Sequence, residues 1–156
     1  MKINLVDAVK HNDFKLVKKL IAEGADVNQK DSSGNSLLII SSANGNAEIV
    51  ELLLSSGAAL NAVDANMKAT ALHAAAYLGH PKVMKLLVEQ GIDLNIQGPY
   101  NGYTALHDAV LQNNIEGVKI LVESGANVNL KGHDGNTPLM LAKRQGNLEI
   151  SEIFKQ

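Results

Sequence analysis

The chain reads as an all-α repeat solenoid of stacked helix pairs, and three series of residues carry that assignment. GADVN at Gly24–Asn28 returns as GAALN at Gly57–Asn61, GIDLN at Gly91–Asn95 and GANVN at Gly125–Asn129, at spacings of 33, 34 and 34 residues. A second series runs through Ser36-Leu-Leu-Ile39, Thr70-Ala-Leu-His73, Thr104-Ala-Leu-His107 and Thr137-Pro-Leu-Met140. A third marks breaks at Asn12-Asp13, Gly45-Asn46, Gly79-His80, Asn113-Asn114 and Gly146-Asn147. Three series in one phase are the signature of a repeat architecture.

The elements of a unit follow in order, most regularly in Asp64–Asn95. Loops open each unit with turn chemistry, as in Asp31-Ser-Ser-Gly34 and His133-Asp-Gly135. Two loops hold one residue more, around Asn66-Met67-Lys68 and Gly98-Pro-Tyr-Asn-Gly102, which explains the 34-residue spacing. Thr70 and Thr104 stand where an N-terminal hydroxyl is wanted, and Pro138 follows Thr137 at a tolerated first-turn position. The first helix, as in Ala71–Leu78, consists largely of small residues that let a neighbour approach closely. Second helices begin after Asp13, Asn46, Asn114 and Asn147, all capable caps, with His80 in that slot before Pro81. Apolar stripes such as Ile49, Val50, Leu52, Leu53 and Leu54 then give each second helix a wide buried face. Gly24, Gly57, Gly91 and Gly125 end these helices where a left-handed residue is needed. Replacing Gly91 with Val is therefore expected to cost more than about 1 kcal/mol, and an unchanged melting curve would refute that.

T-x-L-H followed by alanines, G-H-x-x-V-x-x-L-L and G-A-D-V-N together resemble the ankyrin repeat. The resemblance covers essentially the whole chain as one domain, 1–156, with units near 1–30, 31–63, 64–97, 98–131 and 132–156. It implies two antiparallel helices per unit and a projecting β-hairpin-like loop. It also implies that the histidine of T-x-L-H bonds within its own turn and to the adjoining loop. First-helix ends and hairpin tips of neighbouring units would then form one concave surface.

The outer units depart from the inner ones as a solenoid's ends must. Lys19 replaces Leu52, Leu86, Ile120 and Ile153; Ser151 replaces Val50, Met84 and Val118; Lys155 replaces Leu54, Val88 and Val122. These read as solvated caps on a self-capped array. The fourth unit has Asn113 where glycine is usual and Gly117 where an aliphatic residue is usual. Because helix-interior Gly costs about 1 kcal/mol relative to Ala, its second helix is expected to be the weakest.

Composition narrows the function. A net charge of −2 with 19% charged residues lacks the basic footprint of a nucleic-acid binder. No cysteine is present for disulfides or thiolate metal sites. No apolar run approaches the ~18 residues of a membrane span, and the first residues hold no signal-type apolar core. The expected setting is cytoplasmic and the expected state a monomer.

Histidines are the first chemical candidates. His73 and His107 repeat one unit apart, and helices stacked in register lie about 8–10 Å apart, too far to share a metal whose ligands sit ~2 Å away. His80 reads as a helix cap, and His11 and His133 lie at a helix end and a loop tip. The loop Gly98–Thr104 lacks the lysine and free helix N-terminus of a phosphate site. With no hydrolase or metalloprotease motif either, neither catalytic residues nor a cofactor or metal is expected.

The tyrosines are more informative. Phe14 and Phe154 fall on second-helix stripes, whereas Tyr77 falls at the end of a first helix and Tyr100 and Tyr103 in the following loop. Tyrosine supplies stiff contact area with a polar tip, so these three are expected to anchor a protein or peptide partner. Around them Asn44, Asn66, Lys68, Leu78, Asn101, Leu111, Gln112, Asn136 and Arg144 would form a mixed, nearly neutral rim. Asp108 stands out because its slot holds Ile40, Ala74 and Leu141 elsewhere, and it is expected to be a specificity contact. The expected function is a non-enzymatic protein-interaction module, or alternatively an assembly role in which the same surface closes a homo-oligomer.

Overall fold

Each unit's sequence grammar becomes a helix pair in the computed structural model, which describes residues 3–66, 68–98 and 100–155. Met67 and Pro99, the centres of the two enlarged loops, lie outside the described residues. First helices are α1 (Leu5–Lys10), α3 (Leu37–Asn44), α5 (Ala71–Leu78), α7 (Ala105–Leu111) and α9 (Pro138–Arg144). Second helices are α2 (Phe14–Ala22), α4 (Ala47–Ser55), α6 (Pro81–Glu89), α8 (Ile115–Glu123) and α10 (Leu148–Ile153). First helices pack against first helices and second against second along the chain, giving two layers.

Capping fixes the helix starts. Ser36, Thr70, Thr104 and Thr137 accept through their hydroxyls from the backbone N–H three residues on. Asp13, Asn46, Asn114 and Asn147 do the same for second helices through side-chain oxygens. His80 is the exception. It occupies the cap position without a side-chain cap bond, and its Nε2–H instead reaches the Ala43 carbonyl of the preceding unit at 2.9 Å. Pro81 explains why this is tolerated, since it removes one N–H that would otherwise need a partner. Past the second helices, Gly91 adopts φ 87° with no atom within 4 Å of where a Cβ would stand, so a valine there meets conformational strain alone.

The loops close like hairpins with almost no sheet. Asp31 N–H bonds Asn35 O, Asp64 bonds Ala69, Gly98 bonds Tyr103 and Gly132 bonds Asn136, at 2.9–3.0 Å. The middle two span one residue more, where the sequence places its insertions. Only isolated bridges, Lys30 with Ser36 and Val63 with Thr70, take extended pairing among the described residues.

Apolar faces between the layers form the core. Leu37, Ile49 and Leu53 pack toward the first unit with Leu5, Val9 and Val17, while Leu38 and Val50 pack into the cluster that runs through Leu72, Leu87, Leu106 and Leu121 to Ile150. At the C-terminal end, Ser151 is a correction. It is buried rather than solvated, and its hydroxyl donates to the Asn147 carbonyl at 2.8 Å, which satisfies it inside its own helix. Lys19 and Lys155 are exposed.

Gly117 has a structural reason. A Cβ there would meet the Asn114 amide at 2.5 Å. That amide folds inward over the glycine to donate to the Ala76 carbonyl at 3.1 Å, tying α8 to the preceding unit. Asn113, in the left-handed region at φ 56°, fills a glycine position with the side chain that best tolerates it.

An asparagine ladder joins the units through their loops. Asn28 Oδ1 accepts from Ala59 N–H at 2.8 Å, Asn61 from Asp93 at 3.0 Å and Asn95 from Asn127 at 2.8 Å. Each residue is the last of a G-x-x-x-N pentad and satisfies a backbone donor in the next unit. Asn61→Ala should cost about 1 kcal/mol and Asn129→Ala, which has no following pentad, close to nothing. Urea unfolding of the two variants checks this, and equal losses would contradict it.

Candidate functional site

The second and third hairpin loops and residues of the first helices α3, α5 and α7 enclose a groove of about 440 Å³. It gathers Tyr77 from α5, Tyr100, Asn101 and Tyr103 from the third loop, and Asp108 from α7. Asp64, Ala69, Thr70, His73, Ala74 and Ile39 complete its wall with Gly98.

Histidines build the groove's frame. His73 Nδ1 accepts from the Thr70 N–H at 3.2 Å, completing a reciprocal cap, and its Nε2–H donates to the Tyr103 carbonyl at 3.1 Å. His107 repeats the arrangement one unit on, accepting from Thr104 N–H at 3.1 Å and donating to the Asn136 carbonyl at 2.8 Å. Each ring thus fastens a helix start to the next hairpin loop, the structural role the resemblance implies. Burial lowers the pKa of both rings, which keeps them neutral with the proton on Nε2.

The three tyrosines differ in freedom. Tyr77 is 51% exposed and Tyr100 79% exposed. Tyr103 is half-buried. Its ring stacks on His107 with centroids 4.6 Å apart and planes within 2°, and its hydroxyl donates to Asp134 on the next hairpin. Bonding to that carboxylate, with burial second, pushes the Tyr103 hydroxyl up to about 12, and the same bond holds Asp134 down to about 2. The edge of the Tyr103 ring fills the space above Gly132, where a Cβ would lie 2.4 Å from Cε1. Tyr103 is therefore part of the wall, while Tyr77 and Tyr100 present free rings.

Asp108 is the electrostatic oddity of the site. Burial pushes its carboxyl up to about 7, and no group among the described residues donates a hydrogen bond to it. Two carboxylates line the groove, and no lysine or arginine does among the described residues. A slot that holds Ile40, Ala74 and Leu141 in other units has here been given a poorly solvated acid.

The remaining expected contacts lie outside the groove. Asn66, Lys68, Leu78 and Gln112 are exposed and Leu111 is half-buried. Asn44 is exposed and donates to Asn12 at 3.3 Å. Asn136 is buried, and its side-chain oxygen accepts from Arg144 at 3.4 Å. Asp64 and His73 were not expected to line the site. Their positions in the hairpin and T-x-L-H series identify them as turn residues, and only the meeting of three units around one space makes them wall.

Among the described residues no helix is long and apolar enough to cross a membrane. No cluster of metal-ligating side chains occurs among them either.

A family model for ankyrin repeats matches the chain in three copies, over residues 5–98, 70–132 and 94–156. Over 77 residues, 49% of the chain, it is 35% identical to the palmitoyltransferase Hip14 of Drosophila melanogaster, and this covers 12% of that protein. It is 38% identical to the mitochondrial disaggregase of Homo sapiens over 60 residues, 38% of the chain and 8% of that protein. M-phase phosphoprotein 8 of Homo sapiens is 36% identical over 73 residues, 46% of the chain and 8% of that protein. The matches thus span about a tenth of the length of these curated relatives.

Proposed function

Because the chain belongs to the ankyrin repeat family, whose repeats are generally protein–protein interaction modules, we propose that it is a non-enzymatic, cytoplasmic binding module that docks a protein partner on its hairpin and first-helix face. The observation that carries this is the groove itself: all three tyrosines of the chain line one space, two with freely presented rings. Exposed tyrosines beside a concave wall are the composition of a protein-binding surface. With Asn101 inside the groove, the surrounding Asn44, Asn66, Lys68, Leu78, Leu111, Gln112, Asn136 and Arg144 form a mixed rim and its supports. A standard interface of about 800 Å² per partner fits on three or four units.

The test is affinity capture from source lysate with the wild-type chain beside Tyr77→Ala/Tyr100→Ala. Tyr103 is left intact because its loss would unsettle His107 and the fourth hairpin. A protein held by the wild type and lost by the variant supports the groove. Partners held equally by both would place binding elsewhere.

A further inference from the structure

Resting on that docking surface, we propose that the groove recognises a cationic side chain, lysine or arginine, of the partner protein, with Asp108 as its counter-charge and Tyr77 and Tyr100 as its aromatic walls.

The chemistry of the lining points to a cation. Its polar ends are Asp64, Asp108 and the tyrosine hydroxyls, and most of the remainder is aliphatic or aromatic. No cationic side chain among the described residues lines this space: Arg144 bonds Asn136, and burial keeps His73 neutral, with Nδ1 accepting from Thr70 N–H and the proton on Nε2. Aromatic faces attract cations through their quadrupole, most strongly where water is excluded. An aliphatic stem suits the Ile39, Ala69 and Ala74 wall, and long cationic side chains bury their stems while keeping the charged end polar.

Asp108 gives the site its sign. It sits on α7 and lines the groove with the tyrosines, in a slot the other full units fill with aliphatic residues, and its carboxyl accepts no hydrogen bond from the described residues. A carboxylate held this way is incomplete until a donor arrives, and an ammonium or guanidinium supplies both the charge and the N–H groups. Asp64, on the opposite hairpin, adds to the negative field. An aliphatic side chain or a carboxylate would desolvate Asp108 further without supplying a donor, and a neutral amide or hydroxyl would supply the hydrogen bond without the charge.

Selection of a random displayed peptide library on the full chain tests this, with Asp108→Asn and Tyr77→Ala run in parallel and the folding of both checked by melting. The expected result is enrichment of sequences sharing one Lys or Arg position. Replacing that position with norleucine in the synthetic peptide should weaken binding about tenfold or more, and the Asp108→Asn chain should bind about tenfold more weakly. Comparing Lys with Arg at that position tells which cation the groove takes. Peptides lost with Tyr77→Ala but indifferent to Asp108→Asn and free of a basic preference would overturn the cation assignment and leave the docking surface standing. Enrichment of no peptide sensitive to Tyr77→Ala would overturn both.

Discussion

Asp108→Asn is more stable than the wild-type chain at about pH 8, by on the order of 2–4 kcal/mol. The carboxyl has a folded value of about 7 against an ordinary 3.8, because burial opposes its ionisation. A carboxyl whose pKa is raised on folding binds its proton more tightly in the folded state. Stability from this group is therefore greatest below about pH 4, falls as pH rises toward 7, and stays at its lowest above that. Removing the charge removes the loss. Asp108→Ala should gain as much, since Ala74 fills the same slot one unit earlier. Urea unfolding at a series of pH values reads both, and a variant no more stable than wild type at pH 8 would show the carboxylate to be well solvated. A residue that weakens the fold while lining a groove is retained at a cost, as binding residues often are.

His107→Ala costs about 3 kcal/mol, the second large effect. The ring is fully buried and makes the reciprocal cap with Thr104, the bond to the Asn136 carbonyl and the stack beneath Tyr103. Truncation leaves Asn136 O without that donor and opens a cavity between two units, and both penalties fall in the range of 1–3 kcal/mol. The same residue shapes the acid limb of stability. Burial depresses the folded pKa of His107 and His73, so the unfolded chain takes up protons first once pH drops below about 6.5, and stability falls with it. Asp108 works in the opposite sense between about pH 4 and 7. In Asp108→Asn the histidine effect is unopposed, so stability should fall more steeply from pH 7 to 5 than in the wild type. A parallel course for the two chains would contradict this.

Much of the fold was legible because its determinants are local. Thr70, Thr104, Asn46 and Gly91 act on their own turns, and their chemistry is visible wherever the spacing places them. The bonds between units were not. Asn61 looks like a turn residue, but its oxygen serves Asp93 in the next unit, and no local pattern distinguishes the two roles. His80 likewise trades a cap for the Ala43 carbonyl, a choice set by the neighbouring unit's backbone and by Pro81. Ser151 looks like a concession to solvent, yet it bonds its own helix and stays buried.

The groove was half legible. Tyr77, Tyr100, Tyr103 and Asp108 stood out by departing from their slots, and the structure gathers all four with Asn101. What sequence could not separate is a tyrosine that presents its ring from one that spends it. Tyr103 is committed to His107 and Asp134, residues 4 and 31 positions away, whereas Tyr77 is not.

The affinity of the captured partner for three chains tests the central claim most directly: wild type, Tyr77→Ala and, on the second-helix layer, Lys85→Ala. Docking in the tyrosine groove predicts a loss of about 2 kcal/mol or more, near thirtyfold in Kd, for Tyr77→Ala and none for Lys85→Ala. Wild-type affinity in Tyr77→Ala, with the loss falling on Lys85→Ala instead, would contradict it.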